Sequence, residues 1–406
     1  MRYLVYLTIL SSVLGQIVKL PLGAGNLYPL DVLVLVSVVF WVFKKLFSRD
    51  YSFKVPAYAI ALGLFFLWSL ATLVHGKSEV SETEFISGFF YWARFVFYSL
   101  FSLLIYDQSR KNSNAREKIK NVLILMGLIV AIAGFFQLAL YPDLSNLAKE
   151  FGYDPHKNRL VSTFLDPNFT AAYLVLGLVL ILSQDKISSK SPTTLLHSNV
   201  VRLGLGVTLF IALLLTFSRS GWLMFSSVLL LFGLLRSPKL LLVALLAGFL
   251  AYFAVPRVQT RISGITDPDD SAKLRLVSWN RAWQIFLENP VFGVGFNLYR
   301  PAQERFGFFD PSLSIDRLGQ VTGGQAGAGS DSSWLLVLAT TGVMGLALYL
   351  LLYGQLFFKG LGNLNSHEHW VLALSLFGLL FESQFINSLF YPPILLWFWI
   401  LVGLTA

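Results

Sequence analysis

SWLLVLATTGVMGLALYLLLYGQL, residues 333–356, contains no charged side chain. As a helix it would extend about 36 Å at 1.5 Å per residue, more than the roughly 30 Å hydrocarbon thickness of a bilayer. Its apolar residues form a continuous run rather than a period-2 alternation, which points to a spanning helix and not to a strand of a β-barrel. Similar segments recur on both sides of it, at approximately 3–19, 28–47, 55–75, 85–106, 119–141, 167–184, 201–217, 220–235, 239–255, 367–388 and 390–405. The expected fold is therefore all-α: a polytopic membrane protein with about twelve transmembrane helices, the 406 residues forming a single membrane domain. The first stretch, Tyr3 to Val18, has the length of a signal-peptide core but no small-residue cleavage site. A second span follows almost at once, so it reads as a retained first helix.

The composition agrees. Hydrophobic residues make up 55% of the 406, and only 13% are charged, against about 25% in soluble proteins. That excludes an ordinary soluble enzyme and a nucleic-acid-binding chain, despite a net charge of +9. The positive charge is instead distributed by topology. Sixteen Lys and Arg, among them Lys44, Lys45, Arg110, Lys111, Arg236 and Lys359, fall on one set of loops, and six on the short loops opposite. The positive-inside rule makes the first set cytoplasmic, with both termini on that side. With no cysteine in the chain, disulfides, thiolate nucleophiles and thiolate metal ligands do not arise.

One connection is long. Residues 256–332 lie on the expected external side, with eight basic and eight acidic residues and many aromatic ones, a composition that favours order. Within it Ala272, Leu276, Trp279, Trp283 and Phe286 follow at 4, 3, 4, 3 spacing behind Asp270 or Ser271 as a cap. This predicts an amphipathic helix, ended by Pro290 and Gly293, that lies on the membrane face or over a cavity.

Ionisable groups near membrane depth need a reason to be there. Arg219 lies between two apolar runs; it either snorkels to headgroups or grips an anion. Arg159 precedes Asp166-Pro167-Asn168, itself a helix-start signal, and is expected at the same surface. Arg275 and Arg281, six residues apart and so about 120° around a helix, either face solvent or face a ligand. Asp331 stands where the long loop returns to the membrane, as a helix cap or as a base. Arg94 and Glu382, both within spans, read as structural: Arg94 either snorkels or pairs with Glu382, and Glu382 needs a partner. Gly342-x-x-Gly345 suits close helix packing, and the Gly293-Val294-Gly295 stretch reads as a turn. Asp267-Pro268-Asp269-Asp270 is read as a capping turn rather than a cation site, and the five histidines show no ligand spacing. No metal or other cofactor is expected. Arginine grips phosphate in a bidentate manner, so Arg159, Arg219, Arg275 and Arg281 together suggest a lipid-linked pyrophosphate, with Asp331 as the catalytic proton acceptor.

At four places the chain resembles the O-antigen ligase and polymerase superfamily. These are Arg159 to Asn168, the Thr216–Gly221 turn, Arg275-x3-Trp279 running on to Pro290-x-x-Gly293-Val294-Gly295, and Gly342-x-x-Gly345. The ligase pattern has His where Asp331 stands. The resemblance implies a metal-independent, inverting glycosyltransferase of a bacterial inner membrane. It would move a glycan from undecaprenyl pyrophosphate to an acceptor hydroxyl of a lipid, a second glycan or a protein, on the periplasmic face. The alternatives are a polysaccharide polymerase and, outside that chemistry, a transporter or flippase of lipid-linked sugars.

Overall fold

The computed structural model describes residues 1–22, 25–49, 55–111, 113–146, 156–183, 198–254, 256–263, 270–308 and 329–405. A helix occupies each of the twelve apolar segments. They are α1 (Arg2–Ser11), α2 (Pro29–Ser48), α3 (Ala59–His75), α4 (Glu82–Lys111), α5 (Ser113–Leu140), α6 (Pro167–Leu182), α7 (Asn199–Leu215), α8 (Arg219–Leu235), α9 (Pro238–Ala254), α13 (Ser333–Leu361), α14 (His367–Glu382) and α15 (Pro392–Thr405). The long connection adds α10 (Pro256–Ser263), α11 (Asp270–Glu288) and α12 (Tyr299–Arg305). Among the described residues four helices are long and apolar enough to cross a membrane: Ala59–Glu79, Glu82–Arg110, Asn114–Leu140 and Ser333–Leu361. Others, such as Pro167–Leu182 and Pro392–Thr405, are shorter apolar helices.

Two of the short helices form the centre. Nearly every residue of α6, and all of α15, is buried, as expected for helices that are apolar all round. α15 packs tightly on α4: a Cβ added to Gly403 would lie 2.4 Å from Ser102 O. Tyr173 of α6 meets the Trp397 ring edge-on at 4.6 Å and reaches Ser12 with its hydroxyl, 2.8 Å away.

The helix ends separate into two sets. At one end Gln16 N–H donates to Thr163 O, Leu160 N–H to Leu215 O and Ser333 N–H to Ser383 O, and Arg305 pairs with Glu79 at 2.8 Å. At the other end Lys45 pairs with Asp107, Lys120 with Glu368, and Arg236 donates to Leu364 O. The long connection belongs to the first end.

Four expectations change. The first apolar segment is helical only to Leu14: Gly15 turns at φ +54° against Thr163, and the chain folds into a hairpin of β1 (Leu20–Leu22) and β2 (Gly25–Leu27). Arg94 does not pair with Glu382. It makes a bidentate pair with Asp31 (2.8 and 2.7 Å) and also donates to Asn26 O, while Tyr98 donates to the same carboxylate. Along α11 the buried side is Ala282, Ile285 and Phe286, packed against α13, whereas Leu276 and Trp283 of the expected stripe are exposed. Spacing identifies an apolar stripe but not which part of it meets protein.

The fourth change concerns Gly342. It is not a smooth packing position: at φ +67° and ψ −173° it interrupts α13. The turn at 290–295 fills the interruption, with Val343 N–H donating to Pro290 O, Val294 N–H to Ala339 O and Gly295 N–H to Thr340 O. A Cβ on Gly342 would lie 2.0 Å from Val291 O, and one on Gly293 2.4 Å from the Thr340 backbone. The two glycine motifs are thus one structural unit, in which the loop satisfies backbone groups released by the broken helix. Asp267 and Asp269 lie outside the described residues, and Asp270 opens α11.

Candidate functional site

The segment that carries Arg159 is pinned at both sides. Asp143 and Lys157 form an antiparallel bridge, with their side chains paired at 2.9 Å. Beyond it Gln137 Oε1 accepts from Val161 N–H and Ser162 N–H, and the Leu160 side chain fills the space above Gly134. Arg159 then donates through Nε to Thr216 O (2.9 Å) and through NH2 to Phe217 O (3.2 Å). It clamps the turn that ends in Arg219.

That turn follows from its sequence. Phe217 takes φ +48°, Ser218 caps α8 by accepting from Gly221 N–H, and Ser218 Oγ donates to Asn168 Oδ1 at 2.7 Å. A Cβ on Gly221 would lie 2.3 Å from the Ala171 Cβ, so α6 and α8 touch there. Arg219 is consequently the first residue of α8. A cation gains nothing from a helix macrodipole at that end, whereas an anion does.

Asp331 is held by α11. Its N–H donates to Ser278 Oγ (3.0 Å), and Trp279 Nε1 donates to its carbonyl (3.3 Å). Arg275 is one helical turn before Trp279, and its charge acts on the Asp331 carboxyl. The helix cap of α13 is Ser332, which accepts from Leu335 N–H, and not Asp331. Burial raises the Asp331 pKa above the ordinary carboxylate value; Arg275 opposes this and Asp166 adds to it. Arg281 faces elsewhere on α11, over the Phe308 ring at 5.6 Å, and both it and Asp331 act on the buried Tyr299 hydroxyl.

Three groups join the site that the residue patterns did not assign to it. Asp166 caps α6 by accepting from Asn168 N–H (2.6 Å) and Phe169 N–H (3.0 Å), and it also acts on Asp331 and Glu382. His156 Nε2 lies 3.9 Å from Asp166 Oδ2, and burial pushes its pKa down to about 4. Glu382, at the end of α14, accepts a hydrogen bond from Ser388 Oγ, while its Oε1 is buried without a partner among the described residues. Arg275 acts on it too. Asp166 is visible in sequence as a helix-start residue beside Arg159; His156 carries no local signal.

Arg275 lies close enough for its charge to act on Asp331, and that of Arg159 acts on His156, which faces Asp166. Arg281 meets Asp331 around Tyr299. Arg219 enters through the turn that Arg159 and Asn168 hold. All five expected site residues lie at one end of the helix assembly. The arrangement combines cations suited to a polyanion with a carboxyl suited to accept a proton.

No curated protein matches the chain. The family model described as O-antigen ligase matches residues 204–350, so over that stretch, which contains Arg219, Arg275, Arg281, Asp331 and the Gly342 interruption, the chain is similar to the O-antigen ligase family.

Proposed function

We propose that the protein is a glycosyltransferase that takes a glycan from undecaprenyl pyrophosphate and joins it, with inversion and without a metal, to an acceptor hydroxyl at the periplasmic face of a bacterial inner membrane. In this reading the chain crosses the membrane twelve times, with both termini in the cytoplasm. The observation that carries the reading is the half-buried Asp331 carboxyl in the field of Arg275, at the helix end that also presents Arg219. Arg219, at the N-terminus of α8, and Arg275 hold the diphosphate and offset the charge that grows as the glycosyl bond breaks. Arg281 extends the cationic surface, and Arg159 both adds to it and fixes the Arg219 turn. Asp331 removes the proton from the acceptor hydroxyl. Its raised pKa suits that task, because a base works best when its pKa approaches the working pH.

The test is glycan transfer by purified protein, from a lipid-pyrophosphate donor to several acceptors, with no ion gradient. Arg219→Ala and, separately, Arg275→Ala are expected to lower transfer by about 100-fold or more, with expression and membrane insertion unchanged. Full activity in both would overturn the diphosphate assignment. Asp331→Asn is expected to be inactive, while Asp331→His regains part of the rate because an imidazole also accepts a proton. An active Asn variant would remove Asp331 as the base. Extension of the donor glycan itself would identify a polymerase, and movement of donor without a new bond a transporter.

A further inference from the structure

At the end of the molecule opposite the candidate site, a cavity of about 800 Å³ opens sideways between the start of α3, the end of α4 and the last turns of α13. Its volume is in the range of small-molecule and lipid sites. The rim is apolar and faces outward: Val55 and Phe358 are both 71% exposed, and Leu350 and Leu351 nearly half exposed. Two tyrosines line the inside, each with a cation above its ring. Lys359 Nζ lies 5.2 Å from the centre of Tyr58, and the Arg110 guanidinium 5.9 Å from that of Tyr106.

Lys359 behaves unlike a lysine that merely snorkels. A snorkelling amine extends towards water, but this one turns onto a ring that is itself only 2% exposed. Among the described residues no carboxylate lies within ion-pair distance of it. The Tyr58 phenol is neutral and supplies no counter-charge, and its hydroxyl is engaged with Ser102 Oγ at 3.3 Å. Gly354 sits in the cavity wall, and a Cβ added there would meet nothing within 4 Å. The space beside it is therefore open.

We propose that this cavity binds one anionic glycerophospholipid from the adjacent leaflet. Its phosphate is held by Lys359, and one acyl chain runs past Gly354 between Leu350, Leu351 and Phe358. The charge complementarity selects an anionic over a zwitterionic headgroup, because a choline or ethanolamine ammonium would place a second cation beside Lys359. An approaching polybasic surface gains about 1 kcal/mol per cation from anionic lipid, which corresponds to about a fivefold preference for each cation.

Native mass spectrometry of the full chain in detergent tests this, with phosphatidylglycerol and phosphatidylcholine of identical acyl composition added to delipidated protein. The wild type is expected to retain phosphatidylglycerol at least about fivefold better. Lys359→Gln should erase that preference, and Lys359→Arg should keep it. Gly354→Leu should reduce retention of both lipids, because the new side chain occupies the chain's path. All variants should elute as the wild type does. Equal retention of the two lipids by the wild type would overturn the proposal. So would a preference that survives both Lys359→Gln and Gly354→Leu. Neither residue belongs to the candidate glycan-transfer site, so transfer activity reports on that site independently.

Discussion

Arg219 adds a full positive charge at the first position of α8, where the macrodipole already leaves a partial one. Helix stability does not account for that choice, whereas the proposed diphosphate would. Asp331 shows the same logic with opposite sign: Ser332 caps α13, so the carboxyl beside it has no capping task. The base assignment has a pH signature. Asp331 accepts a proton only when ionised, so transfer should rise as the pH climbs through its raised pKa. Asp166 is one of the groups that raise it. Asp166→Asn removes that charge and keeps a good helix cap, so the acidic limb of the rate–pH profile should move to lower pH. A limb that stays in place would show that another group titrates. Arg275 and Asp331 were legible in the sequence because each sits in a short motif with a consistent spacing. His156 and the buried oxygen of Glu382 were not. Their proximity to the site arises from the crossing of distant segments, which local spacing does not encode.

Among the elements, α13 departs most from what its sequence suggests. Twenty-four uncharged residues, 333–356, read as one uninterrupted helix, yet the backbone breaks at Gly342 and resumes after accepting the 290–295 turn. The glycine pair was visible, but two chemistries produce the same pattern: close approach of helices, and a backbone that leaves helical space. Only the partner segment distinguishes them. Gly342→Ala should therefore destabilise strongly. The combination of φ +67° and ψ −173°, a region open essentially to glycine alone, costs about 1–3 kcal/mol for a residue with a Cβ, and the contact with Val291 O adds to it. Thermal unfolding in detergent should show a clearly lower midpoint, and Gly354→Ala, in the same helix with open space around it, should leave the midpoint unchanged or higher. Equal effects of the two would exclude the strained backbone as the cause. In α11 the helix and its start were legible, while its orientation was not, because apolar residues cover more of its surface than α13 can bury.

For the molecule as a whole, composition and run length identified the helices and which connection is long. They did not identify which helices are central. α6 and α15 resemble spans by composition, but they are short and sit inside a jacket of the others. The Arg94–Asp31 pair joins α4 to α2 and, through Asn26 O, to the β1–β2 hairpin. Both partners are buried, so Arg94→Ala leaves an unpaired carboxylate and should cost about 3–5 kcal/mol. The measurement is denaturant unfolding in detergent. A loss below 1 kcal/mol, the scale of an exposed pair, would contradict that burial. The interruption in α13 also has a mechanical consequence. Three backbone hydrogen bonds rivet the start of the return path of the long loop to the middle of a bundle helix. That stretch is a fixed abutment rather than a hinge, so under the proposed function no gate over Asp331 would swing at residues 290–295.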